Sequence, residues 1–133
     1  MAQLFSLGIV TRMAIIPFIL VTWLIHAGIA AILSAPIVYF SRKRIHWRRY
    51  ELLVFIIPFG IWFALCGFTG IRSKTLSNAA IEPAIFGLAV PIAALVRVAI
   101  GARISERACV ASLIAAVSVV AVCIYFLVPG LPE

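Results

Sequence analysis

Charge is what this sequence has least of. Only 11% of its 133 residues are charged, and only four residues are acidic. A soluble domain is usually about a quarter charged. Paired carboxylates for acid–base work are absent, as are a phosphate-binding glycine loop, an HExxH segment and a nucleophile elbow. No serine is marked as a nucleophile beside a base, so an enzyme is not expected. The three cysteines, Cys66, Cys109 and Cys123, form no CxxC pair. With His26 the single histidine in an apolar run, they complete no metal set, and a haem held by two histidines is not expected either. No cofactor is expected, and the thiols read as small buried hydrophobes. A Cys66–Cys123 disulfide would need the second and fourth apolar runs to touch. Linkers, low-complexity tracts and a convincing internal repeat are also missing.

Apolar surface, by contrast, is abundant. Hydrophobic residues make up 65% of the chain, and mean hydropathy is +1.24. A water-soluble protein of this size has no core large enough to hide that much. Four apolar runs stand out, at about 13–40, 51–68, 79–100 and 108–128. A bilayer span needs roughly 17–25 residues. The first run exceeds that and the second is near the minimum. Backbone in lipid must satisfy its own hydrogen bonds, which leaves helices or a closed barrel. The runs are apolar on every face and lack a barrel's in–out alternation, so helices are expected. The expected fold is an all-α integral membrane protein, with residues 1–133 forming a single domain of four transmembrane helices. Short connections predict an antiparallel bundle with consecutive helices side by side. The opening segment, Met1 to Arg12, is moderately apolar and is expected along the membrane surface.

Orientation follows from lysine and arginine. Arg42, Lys43, Arg44, Arg48 and Arg49 lie in the first connection, and Arg97, Arg103 and Arg107 lie at the third. The opposite side has Arg12, Arg72 and Lys74. The positive-inside rule puts the two basic connections in the cytoplasm and both termini outside, with a bacterial inner membrane the expected location. A cleaved signal peptide fits poorly, because the basic cluster follows the first apolar run instead of preceding it. The net charge of +7 sits mostly in that first connection, interleaved with His46, Trp47 and Tyr50. Such a segment suits anionic lipid headgroups, or an acidic partner, better than nucleic acid.

Polar residues inside the runs are few, and these are the places to look for function. Glu82 precedes Pro83, and Ser77 or Asn78 can cap the third helix. Glu82 then reads as a helix-start residue near the interface, or as an ion or ion-pair site with Arg72 or Lys74 as partner. Arg97 reads as a snorkelling side chain, and His26 as a packing residue. All three are candidate ion or ion-pair residues. Glu51 starts the second helix, where its charge suits the dipole and can pair with Arg48 or a nearby arginine.

Pro36, Pro58 and Pro91 are expected to bend the first three helices. Small residues recur every fourth position: Ala27, Ala31 and Ala35; Gly60 and Ala64; Ala89 and Ala93. In the fourth run Ala108, Ser112 and Ala116 lie beside Ala111 and Ala115. Such faces allow close helix approach, mostly inside the bundle, with the fourth helix a candidate to meet another chain or a second copy. Tyr39, Phe40, Trp47, Tyr50, Tyr125 and Phe126 read as interface anchors. The first run lacks the glutamate of small multidrug transporters. The chain also lacks the phenylalanine- and threonine-rich filter segments of dimeric fluoride channels. Two functions fit. One is a non-enzymatic protein acting through helix–helix contacts, as an accessory subunit of a membrane complex or an immunity protein against a membrane-inserting toxin. The other is a small oligomeric channel or transporter.

Overall fold

Leu, Ile, Val, Ala and Phe fill the apolar runs almost continuously, and each run forms a helix. The computed structural model describes the backbone of residues 2–68, 76–101 and 103–130, and the side chains of 17–68, 77–101 and 103–130. Helix α1 spans Ala2–Ser41, α2 Leu53–Phe68, α3 Leu76–Ile100 and α4 Glu106–Leu127. A 3-10 turn, Arg49–Leu52, leads into α2. No strand occurs among the described residues. Four helical stretches are long and apolar enough to cross a membrane: Pro17–Ser41, Arg49–Phe68 (the 3-10 turn together with α2), Ser77–Ile100 and Glu106–Leu127.

Local chemistry sets the ends. Ser41 closes α1: its carbonyl accepts from Arg44 N and Ile45 N at 2.8 and 2.9 Å. The Trp47 indole folds back onto the Ser41 hydroxyl at 3.1 Å, so the first connection is tied to the helix it leaves. At the next start, the Arg48 N–H donates to the Glu51 carboxylate at 3.1 Å, one half of a capping box. Ser105 caps α4 by accepting from Ala108 N at 3.4 Å, and Glu106 in the first turn complements the dipole. Pro129 follows the last turn, where it cannot continue the helix.

Helix α1 differs from expectation at its start. It runs unbroken from Ala2 and passes through Pro17, so the opening segment belongs to it. Forty residues make it roughly 60 Å long at 1.5 Å per residue. The helices also continue through Pro36, Pro58, Pro83 and Pro91. Each proline removes one backbone donor, but flanking turns hold the helix together.

The largest interfaces join α1 to α3, α2 to α4, and α3 to α4. Helix α2 touches α1 and α3 less extensively. This departs from the expectation that each helix packs mainly on its sequence neighbour. Seven residues separate Ser41 from Arg49, enough to reach roughly 25 Å, so the connection does not force adjacency. Along α2 and α3 the contacts run in opposite order: Glu51 meets Arg97, and Trp62 meets Glu82.

Two cores fill the interior. Around Glu82 it is aromatic: Phe59, Trp62, Phe86 and Tyr125, with Cys66 and Ala121. Toward Arg97 it is small and aliphatic: Val54, Ala93, Val110 and Val117. Tyr125 is therefore a core residue and not an interface anchor, whereas Phe126 is exposed. Cys66 and Cys123 form no disulfide; Cys66 is buried and Cys123 exposed.

Candidate functional site

Buried polar groups are costly unless bonded, so their partners indicate what each one does. Glu82 lies in the second turn of α3, not at its start, and is fully buried. The helix includes Leu76, two or three residues before the start that a Ser77 or Asn78 cap would give. The reading of Glu82 as a helix-start interface residue is thus corrected. The Trp62 indole donates to Glu82 Oε2 at 2.7 Å, and Asn78 Nδ2 donates to Oε1 at 2.9 Å. Asn78 precedes Glu82 by four residues, which puts both on one helix face. The same amide reaches the Pro129 carbonyl at 2.9 Å and so ties the segment after α4 to α3. Arg72 and Lys74, the partners expected for Glu82, lie outside the described residues.

His26 occupies the middle of the bundle, fully buried. Its Nε2 donates to the Phe55 carbonyl at 3.1 Å. A carbonyl only accepts, so Nε2 carries the proton. Phe55 lies in the turn before Pro58, where the missing proline N–H weakens the helix's own bonding. The histidine ring thus braces α1 against the proline-loosened turn of α2. It stacks on Phe55 and Phe59 with centroids 4.8 and 5.5 Å apart, and Phe86 covers another side at 4.8 Å. Nδ1 has no hydrogen-bond partner among the described residues. A Cβ at Gly87 would approach both Nδ1 and the His26 carbonyl to 3.3 Å, so glycine lets α3 pass this close to α1.

Arg97 does not snorkel. Only 3% of it is exposed, and it forms a buried ion pair. Its Nε lies 3.2 Å from Glu51 Oε2, and its Nη2 lies 3.4 Å from Glu106 Oε1. Arg48 Nε approaches the same Glu106 oxygen at 3.7 Å, from a far more exposed position. Two arginines and two glutamates therefore join the ends of α2, α3 and α4. The turn at Gly101 wraps the guanidinium so closely that a Cβ there would collide with it.

Glu82, His26 and Arg97 are thus brought into one core, but not into one site. On α3 alone, Glu82 and Arg97 are fifteen residues apart, roughly 22 Å. Aromatic rings fill the space between Glu82 and His26: Trp62 contacts Phe86 at 5.7 Å, and Phe86 contacts His26. No cluster of three metal-ligating side chains occurs among the described residues. No family model, curated protein or solved structure matches the chain.

The remaining candidates fall in several places. Pro58 and Pro91 are buried and Pro36 is exposed. Lys43, Arg44, Arg48 and Arg49 are exposed, and Arg42 lies over the Tyr39 ring at 4.1 Å. Ala108, Ala111, Ser112, Ala115 and Ala116 are all exposed, because α4 packs through Cys109, Val110, Val117, Ala121 and Tyr125. Internal packing therefore does not use the small-residue face of α4. The same correction applies to Ala31, Ala35, Gly60 and Ala64, which are exposed, while Ala30 is the buried alanine of α1. On α3 the expectation fits better: Ala93 is in the core and Ala89 packs against it.

Trp62, Asn78 and Glu106 were not legible as partners. The Asn78–Glu82 spacing was a usable signal. Glu106 was masked by the arginines around it, and Trp62 is one apolar residue among many.

Proposed function

We propose that this chain crosses a bacterial inner membrane four times, as an antiparallel bundle, and acts without catalysis through helix–helix contact with a membrane protein. The basic first connection faces the cytoplasm and both termini face outward. Within that class it serves as an accessory subunit of a membrane complex or as an immunity protein against a membrane-inserting toxin. One observation carries the reading: the small-residue face of α4 is left exposed by the bundle's own packing. Small faces let helices meet closely in lipid, where apolar burial gives no drive between helices. Glu82 and Arg97 add support, since their described bonds hold helices together.

Purification in mild detergent with mass measurement tests this. A stoichiometric membrane partner is expected. Ala111→Leu with Ala115→Leu should release it and leave the unfolding midpoint unchanged, because both side chains point away from the core. A pure homodimer that conducts ions or solutes in liposomes would replace this reading with the channel or transporter alternative.

A further inference from the structure

Where α1 and α2 diverge, the bundle is not filled. Ring contacts between them join Trp23 and His26 to Phe55 and Phe59. Beyond those rings, toward Arg97, α1 presents Ala30, Ala31 and Ser34, while α3 presents Ala93 and Ala94. Small side chains facing each other leave a cavity of about 300 Å³ between α1, α2 and α3. That is near the lower end of ligand pockets. Ala31 and Leu52 line it and are themselves exposed, so it opens sideways between α1 and α2. An unfilled apolar void forfeits the contacts its walls would otherwise make.

Its polar lining is Ser34, Trp47, Arg48 and the mutually paired Glu51 and Arg97. Ser34 is the only hydroxyl residue in the lining, and its Oγ is buried with no hydrogen-bond partner among the described residues. At the Arg97 end, Trp47 and Arg48 line the cavity and also an open groove of about 760 Å³. His46, Arg49, Tyr50, Glu106 and Arg107 complete that groove. Arg49 and Arg107 are exposed and make no ion pair among the described residues. An apolar slot thus joins a basic, aromatic-edged groove through two shared residues.

We propose that this pair of spaces binds one anionic phospholipid. An acyl chain enters the slot between α1 and α2, and the phosphate rests on Arg49 and Arg107. An ester carbonyl can accept from the Ser34 hydroxyl. A free anion would leave the slot empty, and a neutral apolar ligand would leave the arginines unused. This site rests on the bilayer reading above.

The test uses the full chain in mild detergent micelles containing equal phosphatidylglycerol and phosphatidylcholine, read by native mass spectrometry. One retained phosphatidylglycerol is expected, favoured by about tenfold over phosphatidylcholine. Ser34→Leu fills the slot and should cut retention by about tenfold. Arg49→Gln with Arg107→Gln should remove the headgroup preference. Equal retention of both lipids by the wild-type chain, or unchanged retention by Ser34→Leu, overturns the proposal. Should Ser34→Leu fail to fold, phosphatidylglycerol with a diazirine in its acyl chain is applied to the wild type. Adducts at residues 30–38 and 52–55 support the site, and labelling spread evenly over the exposed faces of α3 and α4 overturns it. A chain recovered outside the membrane fraction would instead sink the bilayer reading itself.

Discussion

Each end of the bundle encloses a glutamate carboxylate, and the described bonds to the two differ. Glu82 receives two short, directed hydrogen bonds, from an indole and an amide, inside a dense aromatic core. Glu51 faces the Arg97 guanidinium in a core of valine and alanine, beside a cavity. A hydrogen bond weakens steeply with poor geometry, whereas charge attraction falls only as the inverse of distance. Directed bonds therefore suit the end where rings lock each rotamer. Ion pairs at 3.2–3.7 Å suit the end where packing is looser. In either place the low dielectric makes a lost partner costly.

That contrast can be broken by substitution. The largest effect is expected at the Arg97 end. Arg97→Met leaves Glu51 and Glu106 without their buried cation and should cost about 3–5 kcal/mol of stability, read as a lower unfolding midpoint in detergent. Adding Glu51→Gln should recover part of the loss, and a double variant no better than the single one would mean that the pair is not the cause. Gly101→Ala comes next. Its Cβ would clash with the Arg97 guanidinium and sit 2.5 Å from the Arg97 carbonyl. A cost of about 1–3 kcal/mol is expected, and an unchanged midpoint would mean that the turn does not seat the arginine. Trp62→Phe should have the smallest effect, about 1 kcal/mol, because it keeps most of the ring and removes one donor to Glu82. If it outweighs Arg97→Met, the ranking of the two ends is reversed.

Much of this architecture was legible beforehand. The four runs predicted four helices, and their ends differ from expectation by a few residues, apart from the long start of α1. Glu51 at a helix start was readable from its position, but its ion-pair partner is Arg97 and not the neighbouring Arg48. Which face each helix turns inward was not. Helices apolar all round carry no amphipathic signal, so Ala30 could not be told from Ala31, or Tyr125 from Phe126. Arg97 read as a snorkelling side chain because its partners, Glu51 in the turn before α2 and Glu106 at the start of α4, meet it only once the helices pack.

The sequence alone determined how many helices form and, apart from the start of α1, roughly how long they are. Run length and backbone hydrogen bonding are local properties, and lone apolar stretches of 16 to 40 residues leave few other choices. Pairing of α1 with α3 and of α2 with α4 was decided only in three dimensions. So were the bonds from Trp62 to Glu82 and from Arg97 to Glu51 and Glu106, and the exposure of the alanine face of α4. Each depends on which surfaces fit closest, and apolar pattern carries no record of that when every face is apolar.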